Sequence, residues 1–397
     1  MAGNTPISDV PDAPTIGTAT GGTESATVTY TAAATGGAVT TFTATSTPGS
    51  ITGTGASPIT VSGLTGGTAY TFTVSGANTT GTSPASAASN SVTPTAPAAR
   101  GVFGAGNATG GLNNDMEYVT IATTGNATFF GDLSVTRGDA GACASSTRGL
   151  FMGGYTMPSY VDSNVIDYIT IASTGNATDF GDLTQSVSGV PACFNNSTRG
   201  VRSGGYAGFE TNTIDYVTIA TTGNATDFGD LTLAKYIAAG ASSTTRGLTM
   251  SGYSGGGADN TIDYVTIATT GNAIDFGDAI TSRYYTKGAS NNTRAVYGSG
   301  QSAPGGFTQN MEYVTIATTG NATLFGNYQL AAGTYNVAAC SDSTRIVWAG
   351  GSNGIAGGPY NDIRYITIAT TGDASDFGDL TRVYFSVSGL SNGNGGL

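Results

Sequence analysis

Over most of the chain apolar and polar side chains alternate one for one, as in Thr27-Val28-Thr29-Tyr30 and Tyr216-Val217-Thr218-Ile219. A period of two is what a half-buried β-strand presents, because its side chains point to opposite faces in turn. No window sustains apolar residues at spacings of three and four, so helices are not expected. With 62 glycines among 397 residues, the strands are expected to be short and joined by many tight turns. The predicted class is all-β.

The pattern is also periodic at longer range. Six close variants of Tyr-(Val/Ile)-Thr-Ile-Ala-(Thr/Ser)-Thr-Gly-(Asn/Asp)-Ala-x-x-Phe-Gly start at Tyr118, Tyr168, Tyr216, Tyr264, Tyr313 and Tyr365, at intervals of 50, 48, 48, 49 and 52 residues. Such a period accommodates one four-stranded sheet per unit and is too long for a leucine-rich or ankyrin-type solenoid, so it predicts a β-propeller. Each unit has the same further parts. A turn arginine (Arg100, Arg148, Arg199, Arg246, Arg294, Arg345) is followed six residues later by a glycine (Gly106, Gly154, Gly205, Gly252, Gly300, Gly351), and the Tyr strand, a Thr-Gly-Asn turn and a Phe-Gly-Asp strand come after it.

These parts resemble the kelch repeat, with diglycines at Gly153-Gly154, Gly204-Gly205 and Gly350-Gly351 and a basic residue (Lys235, Arg283, Arg382) leading into the next unit. The fourth-strand aromatic is Phe (Phe130, Phe180, Phe228, Phe276, Phe325, Phe377) where kelch proteins favour Trp. The resemblance implies a six-bladed kelch-like propeller over residues 100–397. Arg100 opens at a second strand, and Val387-Ser388-Gly389-Leu390-Ser391 aligns with a first strand. The C-terminal strand is therefore expected to complete the first blade and remove an open sheet edge.

Residues 11–95 contain no copy of the repeat. Pro11-Asp12-Ala13-Pro14 precedes a first strand, Ser25-Ala26-Thr27-Val28-Thr29-Tyr30 reads as a second and Val39-Thr40-Thr41-Phe42-Thr43-Ala44 as a third. Leu64-Thr65-Gly66-Gly67-Thr68-Ala69-Tyr70-Thr71-Phe72-Thr73-Val74 resembles the Leu-x-Pro-Gly-x-x-Tyr corner of fibronectin type III domains, with Gly66 in place of the usual Pro and Tyr30 in place of the usual Trp. The resemblance implies a β-sandwich in which the Tyr70 hydroxyl bonds back to the main chain. Residues 1–10 then form an N-terminal arm and 96–99 a linker, within the Pro-stiffened run Thr93-Pro94-Thr95-Ala96-Pro97-Ala98-Ala99.

Charge narrows the possible partners. The formal net charge is −12, with two lysines (Lys235, Lys287) and no histidine. Phosphate backbones repel such a chain, so no nucleic-acid partner is expected. Residues 1–99 carry no Lys or Arg to hold an anionic membrane surface, and no stretch is apolar enough to insert. Cys143, Cys193 and Cys340 fall in three different repeats and read as small core residues. The opening Met-Ala-Gly-Asn-Thr-Pro has neither a basic nor an apolar run, so synthesis in a cytoplasm without a secretory signal is expected.

Comparison of the copies separates scaffold from candidate site. Tyr to Phe always spans 12 residues, whereas glycine to Tyr spans 12, 14, 11, 12, 13 and 14, and Phe to the next Arg spans 18, 19, 18, 18 and 20. In an up-and-down blade these two variable connections emerge on one face, and binding residues concentrate on variable loops held by a rigid scaffold. One connection carries Tyr155, Tyr160, Tyr206, Phe209, Tyr253, Phe307 and Tyr360, the other Tyr236, Tyr284, Tyr285, Tyr328, Tyr335 and Tyr384. Tyrosine offers a large rigid contact with a polar tip, which suits glycan or protein surfaces.

Other signals read as structural. Asp-Phe-Gly recurs at Asp179, Asp227, Asp275 and Asp376 without a nucleotide loop. The Asn-Ala-Thr sequons at Asn126, Asn176, Asn224 and Asn321 sit in tight turns. Arg137-Gly138-Asp139 occurs once, where sister units lead into the next blade. Asp132, Asp182, Asp230, Asp278 and Asp379 are expected to pair with the turn arginines or to cap turns, because each unit has too few oxygens for a calcium cage. No metal or cofactor is expected. No acid-base or nucleophilic constellation stands out, although a glycosidase would draw its two carboxylates from among Glu210, Asp259 and their neighbours.

The whole resembles structural proteins of tailed bacteriophages. It implies a non-enzymatic virion surface protein, a tail fibre, appendage or capsid decoration, exposed on the particle surface. Residues 1–95 would dock to other virion proteins and the propeller would meet a host-surface glycan or protein. The alternative is a purely architectural propeller packed on other virion proteins.

Overall fold

The computed structural model describes residues 9–108, 111–302, 306–329, 334–353 and 359–397. Most of the expected N-terminal arm, residues 1–8, lies outside the described residues. All regular elements among the described residues are strands, so the fold is all-β. The chain forms two compact units, Met1–Ala98 and Ala99–Leu397.

In the first unit the alternating pattern gives two three-stranded sheets. Ser25–Thr31 lies between Thr15–Gly22 and Ile59–Ser62, and Thr41–Thr47 lies between Thr52–Thr54 and Thr71–Ala77. Val28, Ala44, Ile59, Val61, Leu64, Phe72 and Val74 face one another as the core. The Tyr70 hydroxyl accepts the Thr65 N–H at 3.1 Å, as the corner reading expects. After Thr71–Ala77 the chain returns along that strand by a serine every third residue. The N–H groups of Gly76, Val74 and Phe72 donate to Oγ of Ser83, Ser86 and Ser89 at 3.0, 2.9 and 3.0 Å, and each serine N–H donates to the matching carbonyl. Thr95 is held as well, its N–H on Gly22 O and its carbonyl on Glu24 N–H. The Pro-stiffened run is thus packed onto this unit at its start.

The second unit repeats one antiparallel sheet six times. The second to fifth sheets start at Gly141–Ala144, Ala192–Asn195, Ala239–Ser242 and Lys287–Ser290, and the sixth at Ala338–Ser341. In the first sheet the chain order is broken. Ser388–Ser391 pairs with Arg100–Gly104, which continues to Asp115–Thr120 and Thr128–Asp132. The six first strands neighbour one another in succession, from Gly141–Ala144 through Ala338–Ser341 to Ser388–Ser391 and back. They approach so closely that a Cβ on Gly240 would lie 2.2 Å from Cys193 O. Serines stitch them together: Ser290 Oγ donates to Ser242 O at 2.6 Å, Ser341 Oγ to Ser290 O at 2.7 Å, and Ser391 Oγ to Ser341 O.

The repeated motif supplies the contacts between sheets. Each Tyr meets the Phe of its own motif edge to face at 5.8–6.1 Å. Above it lies the turn arginine, 4.5–4.9 Å from the ring centroid. The same guanidinium reaches the following sheet. Arg100 donates to Ile171 O and Ala172 O, Arg148 to Ile219 O and Ala220 O, Arg246 to Ile316 O and Ala317 O, and Arg345 returns to Ile121 O and Ala122 O.

The arginines therefore do not take the Gly-Asp carboxylates, as one sequence expectation had it, because carbonyls and a ring face already occupy them. The main chain of those pairs has its own partner in the next unit's turn. Asp182 N–H donates to Asn224 Oδ1, Asp230 to Asn272 and Asp379 to Asn126, each at 3.1 Å. Close approach at this seam requires glycine. Gly229 has φ +146°, and a Cβ there would lie 2.5 Å from Gly271 O.

A second set of contacts is ionic and buried, each pair lying within one sheet or joining a sheet to the segment that leads into it. Arg137 pairs with Asp167 at 2.9 Å, Arg202 with Asp215, Lys235 with Asp263 at 3.5 Å, and Arg283 with Glu312, all four pairs with side chains fully shielded from solvent. Ser134, Thr184 and Thr232 donate further hydrogen bonds to Asp167, Asp215 and Asp263. Removing one partner of such a pair strands a buried charge, which is far costlier than the pair is stabilising.

Arg246→Ala is expected to lower the denaturation midpoint of the second unit, at a cost of about 2 kcal/mol from the lost ring contact and two charged hydrogen bonds. Arg246→Lys should recover less than half of that, since an ammonium cannot stack and fork at once. Urea unfolding of the three proteins checks both.

Candidate functional site

The two variable connections of each unit meet as short antiparallel contacts. Gly138 bridges Tyr155, Ser188 bridges Tyr206, Tyr236 bridges Tyr253, Tyr284 pairs with Gln301, Tyr335 bridges Ser352, and Phe385 pairs with Asn107. The segments entering the first strands thus lie beside those leaving the second strands, six times over, and carry their aromatics to one side.

A ring of main-chain hydrogen bonds fixes this side. Val190 N–H donates to Asp139 O, Tyr285 to Ile237 O, Asn336 to Tyr285 O, Ser386 to Asn336 O and Asp139 to Ser386 O, while Ile237 N–H takes Gly189 O. The six residues at these positions, Asp139, Val190, Ile237, Tyr285, Asn336 and Ser386, have φ between 44° and 58°. That conformation is unfavourable for any residue but glycine, and most so for the β-branched pair, so it persists only because the ring over-determines it. The side chains of Asp139 and Tyr285 are consequently held in place by main chain.

Most of the expected aromatics do come together. Tyr206, Tyr236, Tyr253, Tyr284, Tyr285, Tyr335 and Phe307 form an unbroken chain of ring contacts with centroids 5.3–5.4 Å apart, ending in the stacked Tyr335 and Phe307 pair. Tyr155 and Tyr160 stack at 5.2 Å as a separate pair. Phe209 and Tyr160 are the most open, 69% and 68% exposed. Phe209, Tyr328, Tyr360 and Tyr384 join neither the chain of rings nor the stacked pair. Tyr328 is buried, edge to face with Trp348 at 6.0 Å, because it follows the last strand of the fifth sheet into the space between sheets. Tyr360 opens the strand Tyr360–Thr367, opposite the buried Tyr384.

Between the Tyr155 pair and the start of the aromatic chain lies an open cleft of about 580 Å³, lined by Asp139, Tyr155, Tyr160, Asp162, Ser188, Gly189, Tyr206, Gly208 and Tyr236. Asn107 Nδ2 donates to the Tyr155 hydroxyl at 2.7 Å and fixes that ring. Asp139 and Asp162 were not among the residues singled out for binding. The Arg137-Gly138-Asp139 tripeptide did single out Asp139, but its arginine is buried against Asp167 and its aspartate turns into this cleft.

Burial pushes the Asp139 carboxyl up to about 6, against a Ser386 hydrogen bond and the charge of Lys287. Lys287 is itself pushed down to about 8 by burial. Burial also raises Tyr155, Tyr236, Tyr284 and Tyr285, which stay neutral hydroxyls over the physiological range. The carboxylates Glu210 and Asp259 are already engaged. Glu210 accepts the Gly255 N–H at 2.9 Å and Asp259 accepts from Lys235 Nζ at 2.9 Å. Among the described residues no group of three or more Cys, Asp or Glu is arranged to hold a metal ion.

Asp139 favours its neutral form in the fold, so the stability it permits is fully present below its unfolded pKa near 4 and is lost as pH rises through about 6. Asp139→Asn is therefore expected to melt a few degrees above the parent at pH 8 and together with it near pH 4, as thermal unfolding at the two pH values would show.

No protein-family model matches the chain, and a search of the curated proteins finds no match either.

Proposed function

We propose that the second unit is a six-bladed kelch-like β-propeller, that the first is a fibronectin type III-like sandwich, and that together they form a non-enzymatic surface protein of a tailed-phage virion. The cyclic succession of first strands, the pairing of Ser388–Ser391 with Arg100–Gly104, and the return of Arg345 to Ile121 and Ala122 support the propeller. The Tyr70 hydroxyl bond and the two three-stranded sheets support the sandwich. Three free cysteines, two of them buried, suit a protein that matures without disulfide chemistry.

The face with the tyrosines is the adhesive one in this reading, engaging a glycan or protein on the host surface. The observation that carries it is the unbroken chain of seven rings. Sugar rings and apolar side chains both stack on such a surface with little loss of side-chain freedom. Apart from the exposed Tyr206 its tyrosines are half-buried, and the ring of main-chain hydrogen bonds fixes the segments that carry them, which lowers the entropy cost of binding. Residues 1–95 would dock to the particle.

The test is binding of the full chain to bacterial cells and to their purified surface polysaccharides. Binding is expected, with Tyr206→Ala and Phe209→Ala each weakening it by roughly tenfold. A chain that binds purified virions but neither cells nor polysaccharide would overturn the adhesive reading in favour of a purely architectural propeller.

A further inference from the structure

The cleft beside the aromatic chain combines aromatic rings with carboxylates. Its walls carry four tyrosine rings, Tyr155, Tyr160, Tyr206 and Tyr236, and two carboxylates, Asp139 and Asp162, with no Lys or Arg side chain among its lining. Asp139 Oδ1 is buried and has no hydrogen-bond partner. Lys287 acts on Asp139 through space, yet it does not line the cleft. A carboxylate oxygen taken from water without a partner is costly. That cost is offset if something positive enters. Tyrosine faces attract the same kind of ligand through their ring quadrupoles, and the attraction grows when the site is desolvated.

We propose that this cleft binds an organic ammonium group, its charge facing Asp139 and Asp162 and its carbon substituents resting on Tyr155, Tyr160, Tyr206 and Tyr236. A neutral sugar would use the rings and leave the carboxylates uncompensated. An anionic sugar or phosphate would be repelled by both. Two sources share the favoured chemistry, the quaternary ammonium of a choline-type substituent and the primary ammonium of a non-acetylated amino sugar. The proposal rests on the adhesive reading of this face, for which it supplies the class of ligand.

The experiment titrates the full chain with choline and with glucosamine, each against its uncharged counterpart, 3,3-dimethylbutan-1-ol and N-acetylglucosamine, by ligand-observed NMR. At least one cation is expected to bind about tenfold or more tightly than its counterpart. Preference for choline identifies the quaternary source, preference for glucosamine the amino sugar. Asp162→Asn and Asp139→Asn should each abolish most of that preference, while Tyr206→Phe, which keeps the ring, should retain it. Asp162 stands outside the main-chain ring, so its variant keeps the test valid if Asp139→Asn disturbs the fold. Equal binding of cation and counterpart, or a preference untouched by both aspartate variants, would overturn the proposal. If cells are still bound in that case, only the cation assignment fails. If the cations bind as expected but cells do not, the ammonium site stands and the adhesive reading fails.

Discussion

The second unit depends on one repeated contact, the turn arginine that lies over its own sheet's tyrosine and donates to carbonyls at the end of the next sheet's Tyr strand, two of them in every case but Arg199. A flat guanidinium has a face for the ring and an edge for the carbonyls, so a single side chain fixes both the packing within a sheet and the angle to its neighbour. Each sheet offers the same tyrosine and the same carbonyls, so the contact propagates from Arg100 to Arg345 and then meets the first sheet again at Ile121 and Ala122. The constant 12-residue span from Tyr to Phe follows. Any insertion there would move the Phe off the Tyr or the turn off the preceding sheet.

The basic side chains are almost all used in such contacts. The chain has 13 basic residues. Arg100, Arg148, Arg199, Arg246, Arg294 and Arg345 stack on tyrosines. Arg137, Arg202, Lys235, Arg283, Arg364 and Arg382 pair with carboxylates, the first four of these in full burial. Lys287 lies within electrostatic reach of Cys193 and Asp139. Most of the positive charge is thus committed to contacts within and between the sheets, while Arg382 is 59% exposed.

The sequence was most informative where the repeat is strictest. Six copies at near-equal spacing revealed the strands, the turn arginines and the shared first sheet, because each of these is local to the motif. It was less informative where the contacts are long-range. Tyr328 looks like its neighbours Tyr284 and Tyr335 in sequence, yet Trp348 of the next sheet draws it inward. The partner of the turn arginine was misread for a similar reason, since a carbonyl acceptor leaves no trace in side-chain identity. Asp139 was visible only as part of a tripeptide that reads as structural. Its position in the cleft follows from the left-handed conformation at the ring, which nothing in the residue types of Val190, Ile237 or Tyr285 announces.

The pairing of Ser388–Ser391 with Arg100–Gly104 joins segments separated by nearly the whole second unit, and Arg100 N–H bonds Asn392 Oδ1 from 292 positions away. During synthesis from the N-terminus, five sheets can assemble from consecutive chain, but the first must wait with one edge bare until the last strand emerges. Contacts of such separation are slow to form and are not rewarded until the intervening loop has been ordered. The serine and arginine contacts between the other sheets order that loop in advance, so the final strand arrives at a gap already of its own width. Ribosome pausing or termination before Ser388 would leave five finished sheets beside an open edge, the form of this protein most prone to pair with another copy of itself.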